Sequence, residues 1–166
     1  MRHTILATIA LTMCFSSGCV SYHAGRLMDQ ELGATARAKA AVALGGYYYN
    51  PRAREVLLKA LLDEDPTVRY FATEAIERPL NFSGIRRINI WAEHACIELL
   101  RLLEDNERGW RPLPQPLSLK LPTAPTAPIR YRATLTLAAV SNTDHGLDAE
   151  AWRAELIKQM PLLGRR

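Results

Sequence analysis

The residues able to do chemistry are few, and their spacing limits what they can do. Glu93, His94 and Glu98 sit close together, and on a helix His94 and Glu98 fall one turn apart. Two ligands at i and i+4 hold a metal only when a third donor arrives. Nothing here matches the His-Glu-x-x-His pattern, in which two helical histidines bind zinc beside a catalytic glutamate. The same spacing equally describes a solvated polar face opposite Cys96 and Leu99, and that is the expectation adopted. Asp144-His145 falls in a loop without a serine or cysteine partner to complete a nucleophilic set. Phosphate-binding glycine loops and nucleophile elbows are absent from the sequence. The chain is therefore expected to be no enzyme, with no metal, no cofactor and no evident small-molecule substrate.

Of the three cysteines, Cys19 carries the clearest context. Arg2 is the only charged side chain ahead of it, and Ile5 to Phe15 is a mostly apolar run. Such a run is too short to span a bilayer, which takes about 20 apolar residues. A basic start, a short apolar region and small residues before a cut site make a secretory signal peptide. The segment Phe15-Ser16-Ser17-Gly18-Cys19 resembles the lipobox of bacterial lipoproteins, with Ser16 where that family usually has leucine. The resemblance implies a signal peptide over 1–18, cleavage before Cys19, and acyl chains on its thiol and on the new amino terminus. Two or more such chains anchor a protein stably. Val20 in the next position, rather than Asp, implies the outer membrane of a bacterial cell envelope, facing the periplasm. An ordinary secreted helical protein without lipid is the alternative. Cys14 would leave with the signal, so Cys96 remains as a single thiol unable to form an internal disulfide, expected to be buried and inert.

Charge narrows the partners. The chain has 21 Lys+Arg against 17 Asp+Glu, a net charge of +4 and a pI near 9.1. Nucleic-acid binding calls for a clustered basic stripe; the cations here are scattered, so no nucleic acid is expected. Cleavage would leave 148 of the 166 residues, enough for one domain with a core.

These residues need elements to position them, and the pattern is helical throughout. Residues 19–32 are polar and mixed and read as a tether. Gly33 to Leu44 is alanine-rich and helix-favouring, ending at Gly45-Gly46, where left-handed backbone angles are expected past the helix end. Asn50-Pro51 supplies a cap and a proline at the first helical position, opening a helix to Leu62. Asp63-Glu64-Asp65-Pro66 repeats that device. Val68, Phe71, Ala72, Ala75 and Ile76 then make an amphipathic stripe, which Pro79 is expected to end. A further helix runs from Ile88 to Leu103. Residues 105–127 hold Pro112, Pro114, Pro116, Pro122 and Pro125, which excludes helix and central strand and predicts an extended, inserted loop. Helical pattern resumes at Ile129, and Asp148 caps a last helix carrying Trp152, Leu156 and Met160.

An internal repeat runs through these helices. Arg37-Ala40-Leu44, Arg69-Ala72-Ile76 and Arg130-Ala133-Leu137 share one spacing, and the last two share Arg-Tyr-x-Ala-Thr outright. Successive copies start 32 and 61 residues apart, the proline-rich insertion accounting for much of the excess. Periods of this order mark stacked helix pairs, each unable to bury its apolar face alone. The run Asp63 to Ala72 (DEDPTVRYFA) resembles short HEAT repeats of the kind first named for phycobilisome lyases. That resemblance implies an all-α fold, a short α-solenoid of about three helix pairs over 33–163 with a proline-rich loop insertion. It also implies a structural ladder between adjacent repeats, to which Asp65, Arg69 and Arg130 are assigned. Gly146 to Arg153 resembles a tail that closes such arrays in some bacterial envelope proteins. The residues left for binding are the aromatic turn Tyr47, Tyr48 and Tyr49, and Trp110 and Arg111 at the start of the proline-rich loop. The expected function is a membrane-anchored scaffold or adaptor for unidentified envelope proteins. An accessory or chaperone-like subunit of an envelope enzyme complex is the other expectation.

Overall fold

The computed structural model describes residues 18–47, 49–82, 90–112 and 123–160. They form a mostly helical, all-α protein. In chain order the helices are α1 (residues 18–28), α2 (Ala34–Gly45), α3 (Pro51–Ala60), α4 (Pro66–Phe82), α5 (Ile90–Arg101), α6 (Ile129–Ser141) and α7 (Ala149–Gln159). A 3-10 turn over Leu102–Glu104 follows α5, and β1 (Arg108–Pro112) pairs antiparallel with β2 (Thr123–Pro128).

Side-chain caps set three helix starts. Asn50 Oδ1 accepts from the Arg52 and Ala53 N–H groups at 2.9 and 3.4 Å. Asp65 Oδ1 accepts from Thr67 N–H at 2.7 Å, and Asp148 Oδ1 from Glu150 and Ala151 at 3.0 and 2.9 Å. Each satisfies donors that a helix start leaves without intrahelical partners, and each is worth about 1 kcal/mol.

The helices pack in two rows. α2, α4 and α6 lie side by side, α3 touches α5 and α5 touches α7, and the rows meet through α3 on α4, α5 on α6 and α7 on α6. One apolar cluster joins them from Val20 to Met160. Val68, Ala72, Ala75 and Ile76 of the α4 stripe are in it, whereas Phe71 is half-buried with its ring edge-on to Tyr70 at 5.5 Å. Position 71 lies at the flank of the stripe, so a large ring there reaches only part-way inside.

Several boundaries differ from expectation. The first part of the tether is a helix: Val20, Ala24 and Leu27 sit at i, i+4 and i+7, and all three are buried. Three apolar residues make a seam narrow enough for the polar remainder to hide it. Gly45 is the last residue of α2, and Gly46 keeps right-handed angles at φ −73°. The glycine matters instead for proximity, since a Cβ on Gly45 would lie 3.1 Å from the Ala75 backbone. α4 continues through Pro79 to Phe82, because Leu80, fully buried in the cluster, holds the final turn in place. The proline-rich segment is not loop throughout. Its two ends make the ribbon, with Trp110 opposite Pro125 and Arg111 opposite Ala124. Prolines are tolerated there because a two-stranded ribbon leaves one edge of each strand unpaired. Residues 113–122 lie outside the described part.

Candidate interaction surface

An edge of the molecule is built from aspartate turns and arginines in a repeated arrangement. Asp29, Asp63 and Asp105 each turn the chain by accepting from the N–H two residues on, at 3.1, 2.9 and 2.9 Å. Arg37 in α2 donates to the Leu32 carbonyl at 3.1 Å and to Asp63 Oδ1 at 2.8 Å. Arg69 in α4 donates to the Asp63 and Glu64 carbonyls at 2.8 and 2.9 Å and to Asp105 Oδ2 at 2.8 Å, and pairs with Glu107. Each arginine thus fastens the turn before its own helix to the turn of the next helix pair. Burial works against the charge on Arg69, but the hydrogen bonds it donates to Asp105 and Glu107 outweigh that and raise its pKa.

Asp65, assigned to this ladder from sequence, is not in it: its carboxylate caps α4, and Asp63 faces the arginine. The two aspartates are two positions apart, and only the turn geometry decides which one meets Arg37. Arg130, in α6, has no carboxylate partner among the described residues; its guanidinium lies over the Tyr131 ring, 5.0 Å from the centroid. Its backbone N–H donates to the Asp105 carbonyl at 2.9 Å, tying α6 to the same turn. Asp63 and Asp105 were legible only as loop acids, since the ribbon breaks the spacing between Asp105 and Arg130.

The opposite edge carries the aromatic turn. Tyr47 packs half-buried against the core, Tyr49 is 65% exposed, and Tyr48 lies outside the described residues. Cys19 is exposed, and its thiol raises the Tyr47 phenol above its ordinary value of 10.0. One turn along α1, Tyr22 is 58% exposed and its hydroxyl accepts from Arg26 at 2.8 Å. Trp110 and Arg111 are placed by their backbones in β1; their side chains are outside the described part. Gly109 between them and Arg108 lets the ribbon approach α4, since a Cβ there would lie 2.6 Å from Thr67 Cα.

His94 and Glu98 line an open groove of about 330 Å³ between α3 and α5, together with Leu58, Leu62 and Ile97. Among the described residues no group of three His, Cys, Asp or Glu side chains is placed to hold a metal. Cys96, on the buried face of the same helix, is enclosed, and burial followed by the charge of Glu93 pushes its thiol up to about 12. His145 stacks edge-on against Trp152 at 4.9 Å, and Trp152 Nε1 donates to the Gly146 carbonyl at 2.8 Å. That pair serves packing of α7 across the end of the body. Leu62 (61% exposed) and Leu135 (59%) are large apolar side chains at the surface.

No protein-family model matches the chain, and no curated protein matches it. Among the described residues no helix is long and apolar enough to cross a membrane.

Proposed function

We propose that this protein is a lipid-anchored adaptor of the bacterial cell envelope, a short HEAT-like solenoid whose exposed side chains engage another protein. The observation that carries the repeat reading is the twofold recurrence of one rung. Arg37 with Asp63, and Arg69 with Asp105, each reach back to turn carbonyls and forward to the next turn's carboxylate. A linear array stabilised by nearest-neighbour contacts is the arrangement that would produce it. Arrays of this kind leave long surfaces for partners, and Tyr49, Leu62 and Leu135 are large apolar side chains held in the open.

The lipid part of the proposal rests on the Gly18-Cys19 motif after an apolar leader, with Cys19 exposed. A photo-crosslinking amino acid at Tyr49, Leu62 or Leu135 in living cells tests the adaptor role. A discrete adduct with one envelope protein, lost on shifting the probe to exposed Lys39, is the expected result. Equal diffuse labelling from all positions would reject it. Mass spectrometry of the intact protein should find acyl chains on Cys19, and an unmodified Cys19 in membrane-derived protein would reject the anchor.

A further inference from the structure

We propose that this protein pairs with a second copy of itself through the outer face of α6, the two helices running antiparallel about a twofold axis at Leu135. The proposal goes beyond the adaptor reading and does not depend on the lipid anchor. It gives Leu135 to a second copy and leaves Tyr49 and Leu62 for another protein.

The first support is the composition of that face. α6 ends the row α2, α4, α6, so α4 flanks it on one side and, among the described residues, nothing continues the row on the other. Terminal repeats of a stacked array need a polar outer face to stay soluble. The exposed positions of α3 meet that need with Arg52, Glu55 and Lys59, and those of α7 with Glu150, Arg153 and Lys158. α6 does not. Its three exposed residues are Tyr131, Leu135 and Ala139, spaced i, i+4 and i+8 along one line with no charge among them. Tyr131 is 45% exposed and Leu135 59%.

The second support is that this line complements itself. A twofold contact sets one patch against its own copy, so that residue i meets j and j meets i. With Leu135 on the axis, Leu135 meets Leu135 of the second copy. Tyr131 then lies over Ala139 of the second copy, a large side chain against a small one at both ends. Rows of side chains four residues apart are the ridges that interlock in the commonest class of helix packing.

The third support is electrostatic. Thr134 Oγ1 donates to the Arg130 carbonyl one turn earlier at 2.9 Å, and it also lies 3.3 Å from the Gly146 carbonyl. The α6–α7 loop thus folds back along the side of α6 that carries Arg130. Asp144 falls between Gly146 and the Asn142 cap, beside the C-terminal half of the helix. Its exposed carboxylate accepts from Gly146 N–H and has no cationic partner among the described residues. Arg130 has no carboxylate partner there either, and its guanidinium lies over the Tyr131 ring at the border of the stripe. A twofold axis at Leu135 keeps this flank of α6 on its own side and exchanges its ends. Arg130 of each copy is therefore brought to Asp144 of the other. Opposite charges facing across an interface fix its register and disfavour others.

The test uses the full chain carrying Cys14→Ser and Cys19→Ser, which leaves buried Cys96 as the one native thiol. Sedimentation equilibrium should show monomer and dimer. Leu135→Glu sets two carboxylates face to face on the axis and should weaken the dimer at least about 100-fold, with helical content by circular dichroism unchanged. Arg130→Glu and Asp144→Arg should each weaken it, and the two together should restore it. Under mild oxidation Leu135→Cys should form a disulfide dimer by itself, since each copy brings the same residue to the axis. Tyr131→Cys and Ala139→Cys should cross-link severalfold faster when mixed than either does alone. A monomer at the highest soluble concentration, or a dimer that Leu135→Glu leaves unchanged, would overturn the proposal and leave the stripe to a different partner. Cross-linking of Tyr131→Cys alone as fast as in the mixture would overturn the antiparallel pairing. Adducts with another envelope protein from Tyr49 or Leu62 are read separately, so the adaptor reading can fail without this one, and the reverse.

Discussion

Replacing Asp63 by alanine should be among the most damaging single changes to this fold that leave the apolar core untouched. The side chains of Arg37 and Asp63 are only 8% and 5% exposed and meet at 2.8 Å. Removing the carboxylate strands a guanidinium whose Nε already lacks a partner. Breaking a buried pair in this way costs about 3–5 kcal/mol. Asp63 also turns the chain by accepting from Asp65 N–H, and losing a neutral hydrogen bond adds about 1 kcal/mol. Asp63→Asn keeps that acceptor and discards only the charge, so about 2 kcal/mol is expected, in the range for hydrogen bonds to charged groups. Urea unfolding followed by circular dichroism reads the difference. With an m-value of about 2 kcal/mol/M, the alanine variant's midpoint should fall by roughly 2–3 M and the asparagine variant's by about 1 M. Pairing Asp63→Ala with Arg37→Met should recover at least about 2 kcal/mol relative to the sum of the single changes, since neither charge is then left alone. Additive losses, or an Asp63→Ala cost no greater than that of the exposed control Glu55→Ala, would refute the claim that this rung holds neighbouring turns together.

Three further outcomes follow from particular contacts. Trp152→Ala removes a fully buried ring and its bond to the Gly146 carbonyl, and should cost about 3–5 kcal/mol by the same urea assay. Gly109→Ala forces backbone apart where β1 meets α4; limited proteolysis should then cut within 108–128 faster, with the helical content by circular dichroism retained. Cys96, with its thiol pushed from 9.0 to about 12 by burial, should resist Ellman's reagent at pH 8 in a Cys19→Ser protein and react fully in urea. The folded state binds that proton more tightly, so Cys96 supports stability below about pH 9 and withdraws support as pH climbs toward 12.

Much of the helical plan was legible because it is local. Asn50-Pro51, Asp65-Pro66 and Asp148 announce helix starts through chemistry that acts over two or three residues. The stripe from Val68 to Ile76 is a period of 3.6 written in side-chain type. Local signals failed where a neighbour decided the outcome. Pro79 reads as a stop, yet burial of Leu80 carries α4 another turn. Gly45-Gly46 reads as a left-handed terminus, yet the requirement is room for Ala75 across the helix pair. Phe71 shares its period with core residues but sits at the flank, where depth depends on the neighbouring helix and not on sequence spacing.

Of the candidate surface, the sequence by itself determined the inventory: a cysteine after a leader, an aromatic turn, repeated arginines, and acids in the connecting turns. It also determined the helical class, through caps and periodicity. Tertiary structure alone decided which acid each arginine meets, since Asp63 lies 26 positions from Arg37 and Asp105 lies 36 from Arg69. It decided that the residues after Cys19 are helix and core. Side-chain pattern reports what a helix can bury. Only the packing of one helix on another settles what it does bury, and which residues far apart in the chain end up sharing a surface.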